Sequence, residues 1–287
     1  MLKSAARRLR RSQSRCFAVC RECVTAANGL EIGGPSQVFA PRGMLPVYSL
    51  AGRIDNCTFA GSTIWEGAVA EGDCFRFHPG KPAGRQYILE GTDLVAVPSG
   101  SYAFVLSSHM LEHTANPLRA LAEWARVLKP GGALVLVVPH RDGMFDHRRP
   151  VTTLEHLVED YERQTSEDDL THLPEILELH DLSQDPGVSD ATAFGERAVR
   201  NAEVRSLHHH VFDTRLVAAA VVRSGFEMVA LELVRPCHIV VVARKPPSGS
   251  RRAALSSADI ARVLRRSPFP TDTHGDRAHR AAEFVPR

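Results

Sequence analysis

The sequence predicts an α/β three-layer sandwich whose mostly parallel sheet ends in an antiparallel hairpin. Three observations carry this. Residues 103–107 and 133–138 are apolar runs of strand length, the second rich in valine, as in strands buried on both faces. Between them Leu118, Leu121, Ala122, Ala125 and Leu128 recur at helical spacing, so that strand, helix, turn and strand form a right-handed parallel crossover. Near the other end, residues 226–234 and 237–244 read as strands joined only by Arg235-Pro236, a join so short that only antiparallel pairing is open to it.

The remaining elements follow in chain order. The start, MLKSAARRLRRSQSR, holds Arg7, Arg8, Arg10, Arg11 and Arg15 and meets no acid before Glu22. Its composition suits either an organelle transit peptide or a basic surface helix, and the second is preferred because the first core strand begins near Gly29. Residues 1–28 are therefore read as a basic helix or arm, and 29–245 as one domain. A short strand ends at 29–32, followed by the turn Gly33-Gly34-Pro35-Ser36; residues 51–55 and 87–89 are the next two strand candidates. Pro117 opens the crossover helix and Pro130-Gly131-Gly132 stops it. Residues 141–211 form a polar insertion with helices expected over 153–164 and 168–180. A helix over 215–223 ends at Gly225 and leads into the hairpin. Beyond Lys245 the chain is rich in Pro, Ser and Arg and reads as a mobile tail over 246–287, with a short helix at 258–265.

Bulk properties exclude some classes of function. With 287 residues and 44% apolar content, the chain buries an ordinary globular core. A net charge of +2 is too small for a nucleic-acid footprint, and no apolar run approaches the ~20 residues that cross a bilayer. Cys20 and Cys23 form one close pair and no second pair follows, which reads as reduced thiols in a cytoplasmic protein.

The segment SYAFVLSSHMLEHTANPLRALAEWARVLKPGGALVLVVPHRD is similar to the fourth-to-fifth-strand region of class I S-adenosylmethionine-dependent methyltransferases. With GLEIGGPS upstream and the hairpin downstream, the resemblance covers residues 29–245. Within that class the chain resembles type 11 methyltransferases, and most closely a subgroup sharing GLEIG, PH-[KR]-D, RP-x-TTLE and HHHVFD strings. The resemblance implies a Rossmann-like fold, S-adenosyl-L-methionine as cofactor and methyl transfer as activity. It also assigns residues. Glu31 matches the acid at the end of the first strand, and Gly33, Gly34 and Ser36 match the loop that holds the methionine end of the cofactor. Where the family repeats glycine, this chain has Pro35 and Gln37, and proline removes a backbone donor. The ribose carboxylate is expected at Asp55, with Glu66 in reserve, and Glu90 near the adenine. Ser108 lines the same edge.

For the acceptor side, open α/β sheets bind ligands at the carboxyl ends of their strands. His109 follows the fourth strand; His140 and Asp142 follow the fifth. A neutral imidazole is a competent base for a hydroxyl, so His140 and His109 are the expected catalytic residues, with Asp142 orienting one of them. The insertion is charged and imidazole-rich, which suits a polar small-molecule or glycan acceptor. Clusters such as Asp146-His147-Arg148-Arg149 and His208-His209-His210 match no established metal spacing, so no metal is expected. Two other readings stay open: a non-catalytic S-adenosylmethionine-binding module, and an NAD-dependent oxidoreductase. The missing G-x-G-x-x-G and the terminal hairpin count against the latter.

Overall fold

The computed structural model describes residues 13–185, 187–188, 190–247 and 254–274, so the arginines at 7–11 lie outside it. Helix α1 (Phe17–Val24) precedes β1 (Asn28–Ile32) and β2 (Arg53–Thr58). A two-stranded ribbon, β3 (Ser62–Thr63) and β4 (Gly67–Ala68), leads to β5 (Gly72–Phe75), β6 (Gly84–Ile88) and β7 (Tyr102–Ser108). Helix α2 (Pro117–Val127) returns the chain to β8 (Leu128–Pro139). The insertion holds α3 (Leu154–Arg163), α4 (Leu173–Leu179), α5 (Ala191–Ala198) and α6 (Asn201–Val204). Then come α7 (Thr214–Arg223), β9 (Glu227–Val234), β10 (His238–Arg244), α8 (Ser257–Arg265) and α9 (Pro270–His274).

Eight strands form one sheet in the order β5-β6-β2-β1-β7-β8-β10-β9. The five from β6 to β8 are parallel; β10 runs antiparallel to β8 and β9 antiparallel to β10, as the short Arg235-Pro236 join requires. Alternation divides the core between two faces. Val105, Leu134, Leu136 and Val138 pack with Leu121, Trp124, Val217 and Val221 under α2 and α7. Phe104, Leu106, Val135 and Val137 pack on the opposite face with Val24, Phe39 and Tyr48. This second face is covered by α1 and by an irregular segment over 33–52, with no helix between β1 and β2.

Local chemistry explains the crossover. Asn116 caps α2 by accepting from the Arg119 N–H at 3.0 Å, and Pro117 occupies the first turn, where no donor is needed. The expected glycine stop is built differently. Strand β8 begins at Leu128 and runs through Pro130-Gly131-Gly132, where Gly131 takes a φ of +77° and its N–H donates to the Lys245 carbonyl at 2.9 Å.

Two expectations are corrected. The second strand spans Arg53–Thr58 and not 51–55, which moves its carboxyl end three residues beyond Asp55. Over 254–274 the chain is no loose tail. A Ser256–Asp259 capping box starts α8, the Leu255 N–H donates to the Met228 carbonyl at 2.7 Å, and Leu264, Phe269 and Asp272 are buried. Among the described residues, no helix is long and apolar enough to cross a membrane.

Candidate active site

The carboxyl ends of β1, β2, β6, β7 and β8 meet along one edge of the sheet, because all five strands run parallel. At the centre, β1 delivers Glu31 and then the glycine turn. Glu31 is buried and accepts hydrogen bonds from the Tyr48 hydroxyl, 2.8 Å from both carboxylate oxygens, and from the Ser36 N–H at 3.0 Å. Burial pushes its carboxyl up to about 8 against those hydrogen bonds, and the charge of Glu66 adds to the rise.

The turn itself is closed on the protein. Gly33 has a φ of +73° and donates its N–H to the Cys57 carbonyl at 2.8 Å. Gly34 donates to Asn56 Oδ1 at 2.9 Å, and Asn56 Nδ2 donates back to the Gly34 carbonyl at 3.0 Å. A Cβ on Gly34 would fall 2.2 Å from the Glu31 carboxyl carbon, so glycine is required there. The peptide bond between Gly34 and Pro35 is cis. Ser36 Oγ accepts from the Val38 N–H at 3.2 Å. Gly33, Gly34 and Ser36 thus lie where expected, yet their donors serve the loop, and no helix N-terminus follows them.

Asp55 does not reach this edge. It lies near the start of β2, accepting from Arg53 at 2.8 Å, the Arg85 N–H at 2.8 Å and the Tyr102 hydroxyl at 2.8 Å. Tyr102 opens β7, so Asp55 belongs to the amino end of the sheet, away from any ligand at the strand tips. The reserve residue fits better. Glu66 follows β2, within hydrogen-bond reach of the Thr63 and Thr58 hydroxyls, and burial holds its carboxyl above the usual range. Glu90 is on the expected edge just beyond β6, paired with Arg205 from the insertion, which also meets Glu167 at 2.7 Å. Burial raises the Glu90 carboxyl above its usual range, although Arg205 opposes this.

At the end of β7 the hydroxyls of Ser107 and Ser108 are buried without a hydrogen-bond partner. His109 follows with a φ of +52°, its side chain 28% exposed. Its Nε2 lies 2.9 Å from His238 Nδ1. Burial, with His238 and His208 nearby, keeps the ring below the usual imidazole range and therefore neutral.

His140 and Asp142 are held elsewhere. His140 is wholly buried, its ring stacked on Phe269 at 4.1 Å between centroids, and its Nε2 is 3.3 Å from Asp272. Asp142 accepts from the Thr271 N–H at 2.8 Å and the Thr271 hydroxyl at 2.5 Å. His140 and Asp142, two of the three predicted catalytic residues, are thus clasped by the segment around α9, which the sequence had given no role. A base must reach the acceptor, and the His140 ring is wholly buried between Phe269 and Asp272. Sequence reasoning also missed Tyr48, Asn56 and Arg205. Of these only Asn56 carried a signal, since strand alternation puts it on the opposite face from Asp55.

The strand order, with β10 antiparallel between β8 and β9, is that of a Rossmann-like sheet closed by an antiparallel hairpin. Residues 55–136, from β2 into β8, match a family model described as a methyltransferase domain. Over that segment the chain is similar to methyltransferase domains. No curated protein sequence matches it. Solved structures that resemble it include an S-adenosylmethionine-dependent methyltransferase from Mesorhizobium loti, 14% identical over 80% of this chain and 95% of that one, TM-score 0.46. Another, from Methanosarcina mazei, is 16% identical over 80% and 98%, TM-score 0.45. A third, from Aquifex aeolicus, is 12% identical over 82% and 94%, TM-score 0.37. At the strand tips lie two serine hydroxyls without a hydrogen-bond partner and the acids Glu31, Glu66 and Glu90, of which Glu31 is bonded to Tyr48 and Ser36 and Glu90 is paired with Arg205. The N–H groups of Gly33 and Gly34 are both spent within the protein.

Proposed function

We propose that the chain transfers the methyl group of S-adenosylmethionine to a hydroxyl of a polar small molecule or glycan. The carrying observation is the wall of the acceptor side. His109, Glu112, His113, Glu167 and Arg205 gather over the ends of β6 and β7, drawn from the strand tips and from the insertion. Such groups hydrogen-bond hydroxyls and repel an apolar ligand. The sulfonium supplies an electrophilic methyl group when the donor is bound. Glu31 faces the donor's methionine end and Glu66 its ribose diol, Ser107 and Ser108 donate to the donor, and His109 takes up the acceptor's proton at a ring nitrogen. Positioning the two reactants in line supplies the larger part of the rate.

The test is calorimetry with S-adenosylmethionine and S-adenosylhomocysteine, followed by a turnover screen with labelled donor over polyhydroxylated acceptors. Binding of both ligands and methylation of a hydroxyl support the reading; a methylated protein, nucleic acid or apolar lipid overturns the acceptor class. The spent donors of Gly33 and Gly34 favour a second reading, a domain that binds the donor without turnover. It predicts binding of both ligands and no product from any acceptor.

A further inference from the structure

We propose that Glu112, His113 and His208 bind a divalent transition-metal ion beside the end of β7. The Glu112 side chain is 1% exposed, and neither of its carboxylate oxygens has a hydrogen-bond partner. An ionised carboxylate so deeply buried costs several kcal/mol unless a cation meets it or a proton neutralises it. Three imidazole nitrogens surround its Oε1: His109 Nδ1 at 3.7 Å, His113 Nε2 at 3.9 Å and His208 Nε2 at 4.0 Å. All are too far for a hydrogen bond. They are near the spacing of about 3.3 Å that separates ligand atoms around a tetrahedral ion with bonds of roughly 2.0–2.1 Å.

Tautomers decide the matter. His113 Nδ1 lies 3.0 Å from the Leu207 carbonyl, which only accepts, so that nitrogen carries the proton. His208 Nδ1 lies 2.7 Å from the Asp146 carboxylate and donates to it likewise. His113 Nε2 turns its lone pair toward Glu112, and His208 Nε2 does the same once that ring gives up its second proton. A divalent cation that takes the place of the protons in this space meets two lone pairs and a carboxylate within 4 Å of one another. The outer bonds to Asp146 and Leu207 are the oriented second layer that ligating histidines commonly have.

Ligand atoms of Glu112, His113 and His208 lie within 4.8 Å of one another. One carboxylate and two imidazoles leave a fourth position open, the composition of catalytic and not structural zinc sites. Imidazole with carboxylate selects zinc, iron, cobalt or manganese over magnesium or calcium. The expectation of no metal followed from sequence spacing, and it failed to see this set because His208 joins Glu112 and His113 only through the fold. Glu112 and His113 also belong to the acceptor wall of the methyl-transfer reading, but metal uptake needs neither donor nor acceptor and is tested independently of it.

The experiment uses the untagged full chain, stripped with chelator and titrated with Co²⁺ and Zn²⁺ while visible ligand-field absorption and bound metal are measured. Wild type is expected to take up an equivalent that Glu112→Gln and His208→Gln lose, with affinity down about 100-fold or more. His172→Gln, in a separate imidazole group with His156 and His210, is expected to keep it. If Glu112→Gln does not fold, His113→Gln, whose side chain is partly exposed, gives the same reading. No uptake by wild type, or equal uptake by wild type and both folded variants, overturns the proposal.

Discussion

Asn56 closes both hydrogen bonds of Gly34, accepting from its N–H at 2.9 Å and donating to its carbonyl at 3.0 Å. A second bond from Asn56 Nδ2 to Gln86 Oε1 at 2.9 Å ties the pair to the neighbouring strand. One side chain therefore holds the turn after β1 in place of the backbone ladder that a following helix would offer.

Asn56→Ala is expected to destabilise the protein by ~1–3 kcal/mol, because it strands a buried N–H and carbonyl of Gly34 and the Gln86 amide. Urea denaturation followed by circular dichroism reads this. A midpoint equal to that of wild type would show that the loop stands without Asn56.

Asp55 and Glu66 give opposite predictions. Asp55→Ala removes three hydrogen bonds at the amino end of the sheet and is expected to lower stability by ~1–2 kcal/mol without changing affinity for S-adenosylhomocysteine. Glu66→Ala is expected to weaken that affinity by ~1–3 kcal/mol, through loss of a carboxylate bound to the ribose diol. Calorimetry on both variants decides, and the reverse pattern would return the ribose to Asp55.

These two residues also show what a sequence reveals and what it hides. The parallel crossover and the terminal hairpin were legible because long apolar runs and a two-residue join leave few alternatives. Strand β2 was not, since RIDNCT alternates weakly, and a shift of three residues exchanged an acid at the amino end for one beyond the carboxyl end. The polar wall was legible as composition only. His208, Asp146 and Glu112 meet through the fold, and Asp272 reaches His140 across more than a hundred residues. No local pattern encodes such contacts.

His140 tests that last contact. If its ring serves to seat the segment around α9, His140→Ala and Asp272→Ala should both lower the melting temperature. Each leaves a buried polar group without its partner, since Asp272 also accepts from Thr214 and Ser267. Turnover per folded molecule should then change little, against the ~10²–10⁴-fold loss that removal of a general base produces. A loss of that size in His140→Ala, with the melting temperature intact, would restore His140 as the base.

Glu31 links the site to pH. Burial raises its carboxyl in the folded protein to about 8, above the value of the unfolded chain. The folded state thus holds a proton that the unfolded state releases near pH 4.5. Stability from this group is complete below that pH and falls as the pH climbs toward 8, by an amount on the order of a few kcal/mol. Glu112 and Glu167, both raised by burial to about 7, act in the same direction, so the wild-type slope alone does not isolate Glu31. Glu31→Gln does, because a neutral amide keeps the size of the side chain and an acceptor for Tyr48. Urea midpoints between pH 5 and 8.5 should fall less steeply in the variant than in wild type. A cationic donor bound near Glu31 would favour the carboxylate, so binding at pH 7 should release a proton from wild type and none from the variant. Calorimetry in buffers of differing ionisation enthalpy measures that proton. Parallel slopes, together with equal proton release, would show that Glu31 is already ionised in the free protein.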